Sequence, residues 1–182
     1  MEKILLSTLR LNLRLITGSD LEAIHVLQSI PEVDRYNTLG IPKDFEETKK
    51  VMTPLLESNT KKEIDYYTFA IKQKSDNQFV GLIALKLGSK KYRNAEVWFK
   101  LNPMFWGKGY ATEALVKLID FGFGELKLHR IEAGCAIDNL ASAKVLEKAG
   151  MQLEGRRRQT LPLKSGWSDN FEFSILETDT RN

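Results

Sequence analysis

Leu9, Leu11, Leu13 and Leu15 alternate with Arg10, Asn12, Arg14 and Ile16, a period of two that predicts a first strand. Ser19 stands three residues before Glu22, with Leu21, Ile24 and Leu27 on one face behind it, so a capped first helix is expected. A second helix should start near Asp44, with Glu47 three residues on and Phe45, Val51, Leu55 and Leu56 as its apolar positions. Pro54 should kink that helix or end it early, because proline removes a backbone donor. Strand-like runs follow at 66–72 and Phe79–Leu87, and the turn-rich Lys74-Ser75-Asp76-Asn77 between them makes a hairpin signal. A polar turn at 90–94 leads into another strand over 95–101.

From there the pattern changes to strand, helix, strand, helix. Ala111, Leu115, Leu118, Ile119 and Gly122 form one helical stripe, and 131–137 reads as a strand. A short helix over 139–148 turns Leu140, Ala143 and Leu146 inward and stops at Gly150. Two last strands, 151–161 and 168–176, flank a turn at Lys164-Ser165-Gly166. No repeat, low-complexity tract or linker divides the chain. The expectation is a single α+β domain over 1–182, a mixed sheet with about four helices, its ligand held by the central strand-helix-strand-helix unit.

Composition narrows the class without naming it. A length of 182 residues suits one domain with a continuous core, and the 42% apolar and 28% charged fractions are those of an ordered globular chain. A net charge of +3 suits a phosphate-bearing ligand but is far below that of a dedicated nucleic-acid binder, so no direct nucleic-acid binding is expected. The single cysteine, Cys135, excludes an intramolecular disulfide and is read as a core residue. His25 and His129 lack ligand spacing with any acidic or thiol partner, so no metal is expected. No apolar run is long enough to span a bilayer, and residues 1–6, with Glu2 and Lys3, lack a signal-peptide layout. A cytoplasmic location follows by default. Phe69, Trp98, Phe99, Phe105 and Trp106 are core or pocket-wall candidates.

The segment Trp106-Gly107-Lys108-Gly109-Tyr110-Ala111-Thr112 carries the chemistry. Glycines let a backbone approach a ligand at positive φ, and the first turn of a helix offers unpaired N–H groups to a pyrophosphate. Lys108 adds a mobile charge and Thr112 a hydroxyl. The spacing fits neither a Walker loop nor a dinucleotide fingerprint, which needs a third glycine where Thr112 stands. By itself the segment could equally be a plain strand-to-helix turn.

Leu101-Asn102-Pro103 followed by Trp106 to Ala114 resembles the acetyl-CoA motif of the GNAT acetyltransferase superfamily, Gln/Arg-x-x-Gly-x-Gly/Ala. Trp106 in place of the Gln or Arg is typical of the RimJ/RimL-type, ribosomal-protein N-acetyltransferase-like branch. About thirty residues on, Asn139-Leu140-Ala141-Ser142 and Glu147-Lys148-Ala149-Gly150-Met151 resemble that branch's Asn-x-x-Ser and Glu-Lys-x-Gly-Phe segments, with Met151 for Phe. The resemblance runs from the first strand to Leu176.

It implies a twisted, mostly antiparallel sheet splayed at the cofactor site, with pantetheine lying in the gap like an added strand. The backbone of Phe99 and Leu101 would pair with pantetheine, and an N–H such as that of Phe99 would face the oxyanion, worth ~3 kcal/mol per donor. Amides from Gly107 to Thr112 would take the pyrophosphate. Asn139 reads both as an N-cap and as a cofactor ligand. Ser142, a capping or solvated serine on local evidence, points to the cofactor sulfur in that branch. The tyrosine that many family members use as acid is matched here by Leu146, which makes Ser142 the candidate acid. A thiol pKa of about 8.5 means the thiolate needs little help. An α-amine near 7.7–8.0 can lose its proton through water. Glu96 is the candidate base if one exists, against a plain solvent-facing or ion-paired carboxylate. The basic run Arg156-Arg157-Arg158, with Lys164, reads as exposed strand side chains, or as an attractor of acidic peptide, RNA or cofactor phosphate.

The implied activity is direct acetyl transfer from acetyl-CoA to a primary amine, a protein N-terminus or a small molecule, by a monomer or homodimer. A non-catalytic acyl-CoA sensor is the competing class.

Overall fold

The computed structural model describes residues 4–180. Glu2 and Lys3 of the N-terminal reading lie outside them. The chain runs β1 (Leu5–Ser7), β2 (Leu11–Leu15), α1 (Leu21–Gln28), α2 (Pro31–Asp34), α3 (Phe45–Ser58), β3 (Tyr66–Gln73), β4 (Phe79–Leu87) and β5 (Asn94–Leu101). It continues through α4 (Tyr110–Gly124), β6 (Arg130–Ala136), α5 (Leu140–Lys148), β7 (Gln152–Leu163) and β8 (Gly166–Leu176). The eight strands form one sheet in the order β1-β2-β3-β4-β5-β6-β8-β7. Every neighbouring pair is antiparallel except β5 and β6, which are parallel. The α+β expectation holds, with five helices among the described residues, four of them eight residues or longer.

Period-two alternation buries both faces of the central strands. Phe69, Ile71, Ile83 and Leu85 enter the main core with Leu115, Leu118 and Ile119 of α4. Ala70 and Leu82, on the other face, join Ile24 and Leu27 of α1 and Met52 of α3 in a second core. The sheet is therefore covered by α4 and α5 on one side and by α1–α3 on the other.

Four local expectations are corrected. Leu9 is not in a strand: it is 88% exposed in the turn from β1 to β2, which Thr8 closes by accepting the Leu11 N–H. Leu11 and Leu13 are fully buried as expected. The helix cap forms two residues early, at Thr17, because the Asp20 carboxylate accepts from the Thr17 N–H at 2.9 Å while held by Arg14 at 2.6 and 2.7 Å. Pro54 sits inside α3 without ending it. Met52, Leu55 and Leu56 pack on the second core, and the Asn59 side chain bonds both the Thr68 carbonyl and its N–H, so tertiary contacts outweigh the missing donor. Leu140 is 62% exposed rather than inward, because the first position of α5 overhangs a cleft and not the core.

The feature that positions the site is the β5–β6 pair. Its register covers only Asn94↔Arg130, Ala95↔Ile131 and Glu96↔Glu132. Beyond Glu96 the strands part.

Candidate active site

The parted strands open a cleft of about 1120 Å³ that reaches both faces of the sheet. Its backbone chemistry follows from the β4–β5 pairing. The Asn102 N–H donates to the Val80 carbonyl at 2.9 Å, and the Asn94 carbonyl accepts from the Gly88 N–H at 2.8 Å, so even-numbered residues of β5 bond to β4. The N–H and C=O groups of odd-numbered residues therefore face β6, and past the last β5–β6 pair, where the Val97 N–H still serves Glu132, the Val97 C=O and both groups of Phe99 and Leu101 point toward the gap. One of these groups is already used. The Leu101 carbonyl accepts from the Trp106 indole N–H at 2.8 Å, so the expected pairing at Leu101 is reduced to its N–H.

After β5, Asn102 caps a single 3-10 turn, Pro103–Phe105, by accepting from the Met104 N–H at 3.0 Å. The chain then passes Gly107 at φ 73° and Gly109 at φ 78° into α4. Both angles are left-handed and favour glycine. A Cβ on Gly107 would meet no protein atom within 4 Å and would project into the open cradle. The N–H groups of Tyr110, Ala111 and Thr112 head the helix without intrahelical acceptors. This arrangement fits a pyrophosphate: free amides at a helix start, with backbone space in front of them.

Arg10 braces the turn, a role the sequence reading missed. Its Nη1 donates to the Lys108 carbonyl at 3.0 Å, and its guanidinium stands 4.4 Å over the Tyr110 ring. The Arg10 Nε pairs with Glu113 at 2.6 Å, and the Arg10 N–H and Thr8 hydroxyl both donate to the same carboxylate. Burial pushes the Glu113 carboxyl up, but those donors outweigh it and hold it below the usual range. Lys108 itself is exposed, stands 5.5 Å over the Phe105 ring and does not line the cleft.

The opposite wall is the start of α5. The Asn139 side-chain oxygen accepts from the Ser142 N–H at 3.2 Å, which is the cap, and leaves its amide nitrogen without a partner among the described residues. The half-buried Ser142 hydroxyl also has none and lines the cleft. Leu146 is buried beneath it. Cys135 lies at the cleft floor, its thiol pushed up to about 11 by burial and secondarily by the Glu147 charge, so it is a packing residue in its neutral form. Tyr36 crosses the mouth, donating to the Asp138 carbonyl at 3.0 Å.

Of the sequence-chosen residues, Phe99, Leu101, Trp106, Gly107, Gly109, Tyr110, Ala111, Thr112, Asn139 and Ser142 line this one cleft. Glu96 does not: it is exposed on β5, where its charge helps burial hold the Tyr66 phenol above its ordinary pKa. Arg156 and Arg157 pair with Asp169 at 2.6 Å and Glu172 at 3.4 Å across β7 and β8, in keeping with the surface reading. Among the described residues, no cluster of His, Cys, Asp or Glu could hold a metal, and no helix is long and apolar enough to cross a membrane. Tyr36 and Lys100 are among the cleft residues that no motif marked, and Arg10 braces the turn from outside the lining, because each is brought in from a distant segment or a non-motif face.

A parted mixed sheet with a glycine turn feeding a helix at the parting defines a CoA-type acyltransferase site. Residues 10–152 match the acetyltransferase (GNAT) domain. The chain is 32% identical over 173 residues to the uncharacterized N-acetyltransferase YoaA of Bacillus subtilis, covering 95% of this chain and 97% of that protein. It superposes with a TM-score of 0.84 on a GNAT-family acetyltransferase from Bacillus anthracis, at 30% identity, covering 97% and 100% of the two chains. A spermidine N-acetyltransferase from Vibrio cholerae, solved with CoA and spermine, shares the fold at TM-score 0.81 and 23% identity, covering 92% and 96%. The chain belongs to the GNAT family of acetyltransferases, and its activity is N-acetyl transfer.

Proposed function

We propose that this single domain transfers acetyl from acetyl-CoA to a primary amine by direct attack in a ternary complex. The observation that carries it is the convergence on one cleft of three features: the unpaired β5 backbone, the glycine-headed α4 and the Asn139–Ser142 start of α5. Acetyl-CoA supplies the acetyl group as a reactive thioester. The residues present fit it. The backbone groups of Phe99 and the Leu101 N–H bind the pantetheine arm as a ninth strand. The amides from Gly107 to Thr112 hold the pyrophosphate, and Arg10 keeps their turn in place from behind. The Phe99 N–H stabilises negative charge on the carbonyl oxygen. The Asn139 amide nitrogen is left to bond the cofactor while its oxygen caps α5. Ser142 donates to the departing sulfur, since Leu146 cannot.

Glu96 stands on β5 outside the cleft lining, which favours loss of the amine proton through water, as an amine of pKa about 7.7–8.0 permits at neutral pH. The acceptor is a primary amine. The RimJ/RimL-type motif favours a protein N-terminus, and the alternative is a small-molecule amine such as the spermidine of the Vibrio cholerae enzyme. The test is calorimetric CoA binding together with thiol release over a panel of N-terminal peptides, polyamines and other small amines. Binding with turnover on one class supports the reading and identifies the acceptor. Tight binding with no turnover on any amine makes the protein a sensor, and absence of binding removes the assignment.

A further inference from the structure

The cleft continues through the sheet to the α1–α3 side, where its walls are mostly apolar: Val33, Leu39, Met52, Leu55 and Trp98. One cation is set into that wall. Lys100 follows Phe99 on β5 and lines the cleft, with no hydrogen bond or ion pair to any described residue. Burial draws its ammonium below the ordinary lysine pKa, and Asp34 opposes that from beyond ion-pair distance. Asp34 is itself buried and accepts instead from the Asn37 side chain at 3.2 Å. Glu32 and Arg35, the other charged groups lining this end, are both exposed and of opposite sign.

A partly buried ammonium without a direct hydrogen-bond or ion-pair partner carries a desolvation cost, and an anion brought by a ligand relieves that cost. A polyamine would do the reverse, adding positive charge beside one already desolvated. We infer that the acceptor carries a carboxylate close to its amine on an otherwise apolar body, and that Lys100 holds that carboxylate. The inference rests on the acetyl-transfer reading above and deepens it. An acidic residue at the start of a peptide and an amino-acid-like small molecule both present this chemistry.

The experiment uses matched acceptors: peptides beginning with Glu or Gln, and leucine beside 3-methylbutylamine, each with saturating acetyl-CoA. The carboxylate member of one pair should show a kcat/KM about tenfold higher, the size of one charge-assisted contact. Lys100→Met should reduce that ratio to within about twofold by raising the KM of the carboxylate member, and Lys100→Arg should keep most of it. The pair that responds identifies the source. CoA binding and melting temperature, measured on each variant, separate misfolding from lost recognition, and Lys100→Arg carries the test if Lys100→Met does not fold. Equal rates within both pairs, or a preference for polyamines, overturn the inference. So does a Lys100→Met loss in kcat shared by both members, which would make Lys100 a proton acceptor. Intact CoA binding with no turnover on any acceptor instead overturns the acetyl-transfer reading beneath it.

Discussion

Ser142 and Cys135 face the same cleft, and their surroundings give them different work. Ser142 has a free hydroxyl at the head of a helix, so it can donate to a sulfur that is a good leaving group already. Ser142→Ala should therefore lower kcat by roughly tenfold, less than the ~100-fold or more of a full general acid because the thiolate leaves readily, while CoA affinity changes by less than about twofold. Unchanged kcat would remove its role. Cys135 is held neutral, its thiol pushed up to about 11 chiefly by burial. At pH 8 its thiolate fraction is about 200-fold below that of an ordinary thiol of pKa about 8.5. Iodoacetamide should accordingly modify it at least that much more slowly than a free thiol, with the rate climbing as pH rises toward 11. A rate at pH 8 equal to that of a free thiol would contradict this environment. Ser142 was legible in the sequence because it recurs at a fixed offset from a capping asparagine. The depth of Cys135 was expected only from its residue type.

At the scale of elements, two ion pairs join segments that are distant in sequence or that differ in type. Glu113 ties the first turn of α4 to Thr8 and Arg10 ahead of β2, and through Arg10 it fixes the carbonyl of Lys108 in the glycine turn. Glu113→Gln keeps the shape but loses the charge that holds Arg10, so CoA Kd should rise by roughly fivefold, about 1 kcal/mol. Unaltered affinity would show that the turn holds itself. Arg14 and Asp20 fasten the start of α1 to β2, with the Asp20 side chain only 4% exposed. Burial raises the Asp20 pKa, and the hydrogen bonds from Arg14 and Thr17 outweigh it, leaving it lowered. The stability this pair contributes is thus present above the ordinary carboxylate pKa and lost as pH falls through the lower folded value. Asp20→Asn should cost roughly 3 kcal/mol in urea unfolding at pH 7, since it leaves Arg14 without its counter-charge. The sequence pattern placed the capping box two residues late here because it cannot see which carboxylate Arg14 will claim.

For the molecule as a whole, β5 and β6 pair only up to Glu96 and then part, and the bound pantetheine arm should complete the sheet there. Ligand at a hundredfold excess over Kd adds about 2.7 kcal/mol, and at roughly 2–4 °C per kcal/mol the melting temperature should rise by roughly 5–10 °C. Hydrogen exchange should slow at the Phe99 and Leu101 amides and from Gly107 to Thr112. It should change little at Lys100 and Asn102, whose amides face β4. Protection spread evenly along β5 would argue against an added strand. The sequence by itself determined most of the elements and picked out the glycine turn and the α5 start that wall the cleft, because strand and helix periods, proline, glycine and cap residues act within a few positions of one another. Hence Gly107, Gly109, Asn139 and Ser142 were all found before any fold was known. Only the tertiary structure decided which strands part, that Leu101 has lost its carbonyl to Trp106, that Glu96 lies outside the cleft, that Lys100 lines it, and that Arg10 braces its glycine turn. Those outcomes depend on contacts between segments far apart in the chain. Their energies come from burial and pairing, which no local spacing records.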